Sequence, residues 1–211
     1  MNRPAALAGL AAIALTALAA GYYFGRGAPA PEVRPARPAS QVPGLRPVFT
    51  LADATGTPRS ITEWDGRALV INFWATWCPP CRREIPLLNA LQAEYAPRGF
   101  EVIGVAVDFR DDVVAYMQDT PIGYPVLIGE QDGLDAARAF GMETAGFPFT
   151  IFTDRGGRIV TVHVGELHRP EATLILSAVE DVSAGRLDME AARARIRAGM
   201  ASLKQQDTGA K

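Results

Sequence analysis

Only two cysteines and two histidines occur among the 211 residues. So few thiols exclude a framework of several disulfides, and so few soft ligands leave little with which to build a metal centre. The formal net charge is −2, and no excess of basic residues is clustered. Residues 1–45 hold four arginines (Arg3, Arg26, Arg34, Arg37) and one acid, Glu32, which leaves 17 basic and 22 acidic residues in the remainder. A net of −5 there excludes a nucleic-acid surface. No internal repeat appears, which excludes a solenoid. Nearly half the residues are apolar and about a fifth are charged, as in an ordinary globular protein of one domain plus appendages.

The chain also lacks charge over one long stretch. Residues 5–24, "AALAGLAAIALTALAAGYYF", carry none. As a helix this run rises roughly 30 Å, the thickness of a bilayer core. Tyr22, Tyr23 and Phe24 close it with rings suited to a membrane interface. Two readings fit: an uncleaved anchor over residues 1–25, or a signal peptide with a small-residue cleavage site at Ala17–Ala19. Full spanning length and the aromatic end favour the anchor, and either reading exports the domain if the N-terminus stays inside. Residues 26–45 are rich in Pro, Ala and Arg and cannot bury enough surface to fold alone. They predict an extended, semi-rigid tether.

From Val48 the patterns become globular. "VFTLAD" (48–53) predicts a strand, followed by a turn at "ATGTP". "ALVINFW" (68–74) and "FEVIGVAVD" (100–108) are nearly unbroken apolar runs and predict buried strands. Between them Ile85, Leu88, Leu91, Gln92 and Tyr95 follow helical steps, with Leu87 beside them and Pro86 expected to kink the helix. A helix over 110–120, a strand over 124–129 and a helix over 132–142 follow, the last with Leu134, Ala137 and Phe140 on one side. Residues 149–154 and 158–165 predict a hairpin around "RGG", and 169–185 the closing helix with Pro170 near its start. The order β, β-α-β-α-β-α, hairpin, α predicts an α/β fold with a central mixed sheet and helices on both faces. This domain spans 46–185. Residues 186–211 predict an added surface helix, with Ala192, Ile196, Met200 and Leu203 at helical spacing, or else a frayed tail.

The two cysteines, Cys78 and Cys81, stand three positions apart with Pro79 and Pro80 between them. A bridge that closes so small a loop saves little unfolded-chain entropy, so it makes a poor staple. Cys78 falls where a strand gives way to a helix. A thiol there faces unpaired N–H groups and the positive end of the helix dipole, which favour thiolate. Cys78 is therefore the expected nucleophile, and Cys81, one turn inward, the resolving thiol. The prolines fix φ and stiffen the loop. Three other readings stay open: an inert structural disulfide, a soft-metal site holding copper(I), and a zinc site with His163 and His168. The last is disfavoured by the 81 residues between Cys81 and His163, where a zinc finger has about a dozen.

"NFWATWCPPCRREIP", with "FTLADATGTPRSITEWDGR" before it and "GFPFTIFTDRGGRI" after it, resembles the thioredoxin superfamily. The closer resemblance is to its TlpA-like, membrane-anchored extracytoplasmic thiol–disulfide oxidoreductases, and it runs from about Val48 to Gly185. It implies a thioredoxin-like fold preceded by a transmembrane helix, and an enzyme that exchanges disulfides, with reduction favoured. It implies no cofactor beyond the Cys78–Cys81 pair and no metal. Protein disulfides would be the substrates, another membrane or periplasmic redox protein the donor, and the domain a monomer.

The resemblance also assigns residues. Pro148 matches the family's cis-proline, which packs beside the disulfide and aligns a substrate strand. Phe147 and Phe149 beside it would make the docking groove apolar. Glu84 matches an acid that takes the buried thiol's proton; alternatively it is an exposed acid favoured near a helix N-terminus. Trp74 and Trp77 flank the loop as packing and partial shield. Asn72 departs from the buried Asp of many cytosolic thioredoxins. An amide cannot take a proton, so that task falls to Glu84 or water. "GMETAGFPFT" departs from the "GVxGxPET" of members dedicated to cytochrome c maturation, so the substrate stays open.

Overall fold

The computed structural model describes residues 42–142 and 146–209, with side chains to residue 206. The candidate anchor at 5–24 and most of the tether lie outside the described residues. Among the described residues no helix is long and apolar enough to cross a membrane.

Seven strands form one sheet: β1 (Thr50–Asp53), β2 (Pro58–Ser60), β3 (Ala68–Trp74), β4 (Phe100–Ala106), β5 (Val126–Ile128), β6 (Phe149–Thr153) and β7 (Ile159–Val164). Their spatial order is β2-β1-β5-β4-β3-β6-β7. The three central strands, β5, β4 and β3, are parallel, and the outer ones are antiparallel, so the sheet is mixed as expected. Among the described residues five α-helices complete the domain: α1 (Pro79–Tyr95), α2 (Arg110–Asp119), α3 (Gln131–Ala139), α4 (Arg169–Ser183) and α5 (Met189–Gly209).

The topology decides which face each helix covers. The β3-α1-β4-α2-β5 path steps twice in one direction, and right-handed crossovers put both helices on one face. Helix α3, between β5 and the antiparallel β6, packs on the opposite face. Strand alternation divides the core accordingly. Val70, Trp74, Phe100 and Val102 pack beneath α1, α2, α4 and α5, while Leu69, Ile71, Phe73 and Ile103 pack against α3 and a short 3-10 helix at Ile61–Trp64.

The structure refines several of these readings. The "ATGTP" turn leads directly into a second strand, β2, which begins at Pro58 on the sheet edge, where a missing N–H costs no ladder bond. In α3 the inward face is Gly133, Ala136, Ala137 and then Phe140, while Leu134 is exposed. The cause is close packing: a Cβ at Gly133 would lie 3.3 Å from Val107 Cγ2, so the helix approaches the sheet along its small residues. Helix α1 carries Pro86 within its span, on the exposed face with Arg82, four residues back. The chain joins the domain before residue 46, because Gly44 O accepts from Ile159 N at 3.0 Å. The last segment is a packed helix, not a frayed tail: Ala192 and Ile196 are buried, and Arg193 donates to the carbonyls of Ile159 and Val160.

Candidate active site

The redox pair sits at the C-terminal end of β3, where the sheet hands over to α1. Cys78 caps the helix with extended backbone (φ −93°, ψ 105°), and Pro79 and Pro80 occupy its first two positions. Proline suits that turn because its N–H would go unpaired there anyway. Cys78 and Cys81 are joined as a disulfide. The Cys81 backbone N–H donates to Cys78 Sγ at 3.3 Å. This is the contact a thiolate would use, and it follows from the cap position alone. Cys78 is 4% exposed and Cys81 fully buried, so what access the pair offers is at Cys78.

Around the pair the predicted residues divide by depth. Trp77 is 65% exposed beside the disulfide, whereas Trp74 is wholly buried and only Trp77 has a surface to offer. The Phe147–Pro148 peptide bond is cis, and Pro148 O accepts from Gly165 N at 2.9 Å. Phe147 is half-buried, with its ring 6.0 Å from Trp77 and stacked 6.1 Å from Phe149. Phe149 is fully buried against Phe73, so the expectation that it lines an apolar groove is corrected. Strand alternation turns its side chain into the core, and the accessible aromatic rim is Trp77 and Phe147.

Glu84 is buried, 1% exposed, on the inner face of α1 one turn beyond Cys81. The exposed-acid alternative is thereby excluded. Its Oε1 accepts from Asn72 Nδ2 at 2.7 Å, and its Oε2 from Leu167 N at 2.9 Å. Burial raises its pKa to about 7 against these two bonds, which pull it down, and the nearby Glu166 charge adds to the rise. Burial likewise raises Tyr124, helped by the Glu84 charge.

Sequence reasoning missed three parts of this arrangement. Asp108 is nearly buried and accepts from Thr76 N at 2.9 Å, Thr76 Oγ1 at 2.6 Å and Phe109 N at 2.9 Å. It ties the active-site loop to the loop after β4, which carries the exposed Phe109. Thr150 and the Leu167 N–H were also unforeseen. The legible sign was a polar residue inside an apolar run, as Asn72 is in β3 and Thr150 in β6. His163 is buried with Nε2 3.3 Å from Glu166 O, and His168 is exposed at the start of α4. Among the described residues no three His, Cys, Asp or Glu side chains converge as metal ligands, so the histidines do not complete a zinc site with the cysteines.

Comparison with known proteins agrees with this geometry. The Redoxin family model matches residues 26–176. Thiol-disulfide oxidoreductase ResA of Halalkalibacterium halodurans is 34% identical over 136 residues, which cover 59% of this chain and 75% of that protein. Thioredoxin-like protein YneN of Bacillus subtilis is 33% identical over 131 residues, covering 59% and 72%. The crystal structure of a thioredoxin-family thiol:disulfide interchange protein from Chlorobium tepidum superposes with a TM-score of 0.53 at 34% identity, covering 61% of this chain and 90% of that one. With its fold, its Cys78–Cys81 disulfide and these relatives, the chain belongs to the Redoxin family, as a TlpA-like thiol–disulfide oxidoreductase of the thioredoxin superfamily.

Proposed function

We propose that the protein reduces disulfides of other proteins outside the cytoplasm, in the periplasm or its equivalent. It is held at the membrane by residues 5–24 or exported after their cleavage. Reduced Cys78, as thiolate, attacks one sulfur of a partner disulfide. The Cys78–partner bond forms, the partner's own bond breaks, and its second sulfur leaves as thiolate. Cys81 then gives its proton to Glu84 and attacks Cys78 Sγ. The partner departs as a dithiol, two electrons richer, and the Cys78–Cys81 disulfide remains. An upstream redox donor protein returns the two electrons.

The observation that carries this reading is the asymmetry of the pair: Cys78 is the helix cap and keeps a small exposed area, while Cys81 is fully buried one turn from Glu84. A base with a pKa of about 7 is matched to proton transfer near neutral pH. Trp77 and Pro79 offer exposed surface to a docking strand, with the half-buried Phe147 beside Trp77 and the half-buried Pro80 between the cysteines. The test is mixed-disulfide trapping. Cys78→Ser abolishes reduction of a model protein disulfide, and Cys81→Ser accumulates a covalent adduct through Cys78. Activity retained in both variants would refute the exchange mechanism. Poising the pair against a dithiothreitol buffer gives the direction: a reductase has a potential well below that of a strong oxidant such as DsbA.

A further inference from the structure

Asn72 occupies the middle of β3, 1% exposed, opposite Gly104 on β4 and Thr150 on β6. Its amide nitrogen donates to Glu84 Oε1 at 2.7 Å and to Thr150 Oγ1 at 3.0 Å. That arrangement suits Glu84 as a carboxylate only. Once Glu84 holds a proton on Oε1, an O–H would point at an N–H, and a buried donor pair of that kind is costly.

The two oxygens of Glu84 differ in what they can tolerate. Oε2 faces the backbone N–H of Leu167, which donates in every state and cannot be reversed. A proton on Oε2 would therefore weaken that bond, because a hydroxyl oxygen accepts less well than a carboxylate oxygen. Oε1 faces a side-chain amide, whose terminal torsion is soft and which presents either an NH₂ or a carbonyl oxygen after a half-turn. Turned over, Asn72 Oδ1 accepts from the Glu84 O–H. It accepts equally from Thr150 Oγ1, since a hydroxyl is both donor and acceptor. Both protonation states are then satisfied by the same three side chains.

We infer that Asn72 is the positioning residue of the proton-transfer step: its amide turns over as Glu84 Oε1 gains and loses its proton, and the Thr150 hydroxyl reverses in step. This deepens the proposed function and rests on Glu84 as the acceptor of the Cys81 proton. Other groups face Glu84 from the elements packed around it. Tyr124 lies just before β5, Glu166 lies in the loop after β7 and is paired with Arg83, and the cysteine pair lies on its own helix. His163 on β7 reaches the same loop through Glu166 O and stands 4.0 Å from Glu171. None of these groups hydrogen-bonds to the Asn72 amide, so a change confined to Asn72 isolates the amide's part.

The test is a pH titration of the full chain by NMR, observing Glu84 ¹³Cδ and the Asn72 side-chain amide together. Glu84→Gln assigns the carbon. The amide resonances are expected to shift with the same midpoint as Glu84, and the contacts of the NH₂ protons with Thr150 to disappear on the acid side. Asn72→Leu removes a charge-assisted bond to the carboxylate and a weaker one to the neutral acid, so the Glu84 midpoint still rises, by about one pH unit or less, and the pH profile of mixed-disulfide resolution moves with it. A merely structural role would leave that profile in place. Amide resonances that do not move through the Glu84 titration would overturn the inference, and this reading needs no variant. An unchanged midpoint in a folded Asn72→Leu protein would do the same. Unaltered resolution kinetics in Glu84→Gln would instead sink the catalytic reading of Glu84, leaving the amide's behaviour to be decided by the spectra.

Discussion

Glu84 should make the folded protein lose stability as pH rises through neutrality, and Glu84→Gln should remove that loss. Burial raises its pKa from 4.5 to about 7 in the folded state. The unfolded chain returns it to the ordinary value. Between those limits the folded form holds a proton that the unfolded form has released, so the slope of unfolding free energy against pH is negative. The stabilising share is complete below about 4.5, falls through the window, and is gone above 7. At about 1.4 kcal/mol per pK unit the full swing is about 3 kcal/mol. Glutamine is neutral throughout and feels none of it. Its carbonyl oxygen accepts from Leu167 N, and its NH₂ group meets the oxygen of a turned-over Asn72 amide, so both sides stay paired. The variant should therefore be about as stable as the parent at pH 4.5 and more stable, by up to about 3 kcal/mol, at pH 8. The assay is urea unfolding of the oxidised protein at half-unit steps from pH 4.5 to 8.5, read as parent minus variant. Surface carboxylates whose pKa is lowered by neighbours other than Glu84, such as Asp181, titrate alike in both proteins and cancel. A difference that stays flat across the range would refute the claim that Glu84 is buried with a raised pKa.

Two further outcomes follow from packing. Gly104 leaves room for its neighbours: an added Cβ would lie 3.0 Å from Tyr124 Cε2 and 3.1 Å from Trp74 Nε1. Gly104→Ala should cost about 1–3 kcal/mol in urea unfolding, and an unchanged midpoint would show that this contact yields freely. Ile196 on α5 is 4% exposed against the domain, so Ile196→Ala should cost about 2–4 kcal/mol. A loss below about 0.5 kcal/mol would make the last helix an appendage after all.

The parts of the fold that were legible in the sequence are those where one local pattern decides. The apolar runs of β3 and β4 and the helical spacing of Ile85, Leu88, Leu91 and Tyr95 all reappear as buried surfaces. The cysteine spacing likewise placed Cys78 at the helix cap. What was illegible depends on partners far along the chain. Leu134 looked inward by periodicity, but Gly133 allows α3 a closer approach that turns Leu134 outward. Glu84 satisfied two readings locally, and only Leu167, 83 residues away, and Asn72 on the neighbouring strand select the buried one. Phe149 and Phe147 are two positions apart and share a side of the chain. The strand nevertheless begins between them, and one ring enters the core while the other meets Trp77. Asp108 looked like a strand terminus, and its hold on Thr76 joins segments 32 residues apart.

The central claim is that Cys78, at the mouth of α1 and in reach of the Cys81 N–H, holds its sulfur as an anion more readily than a free thiol does. Alkylation of Cys78 by iodoacetamide in reduced Cys81→Ala protein, timed from pH 4 to 10, measures this directly. The rate should rise with a midpoint well below the roughly 8.5 of an ordinary cysteine. A midpoint at or above that value would contradict the account.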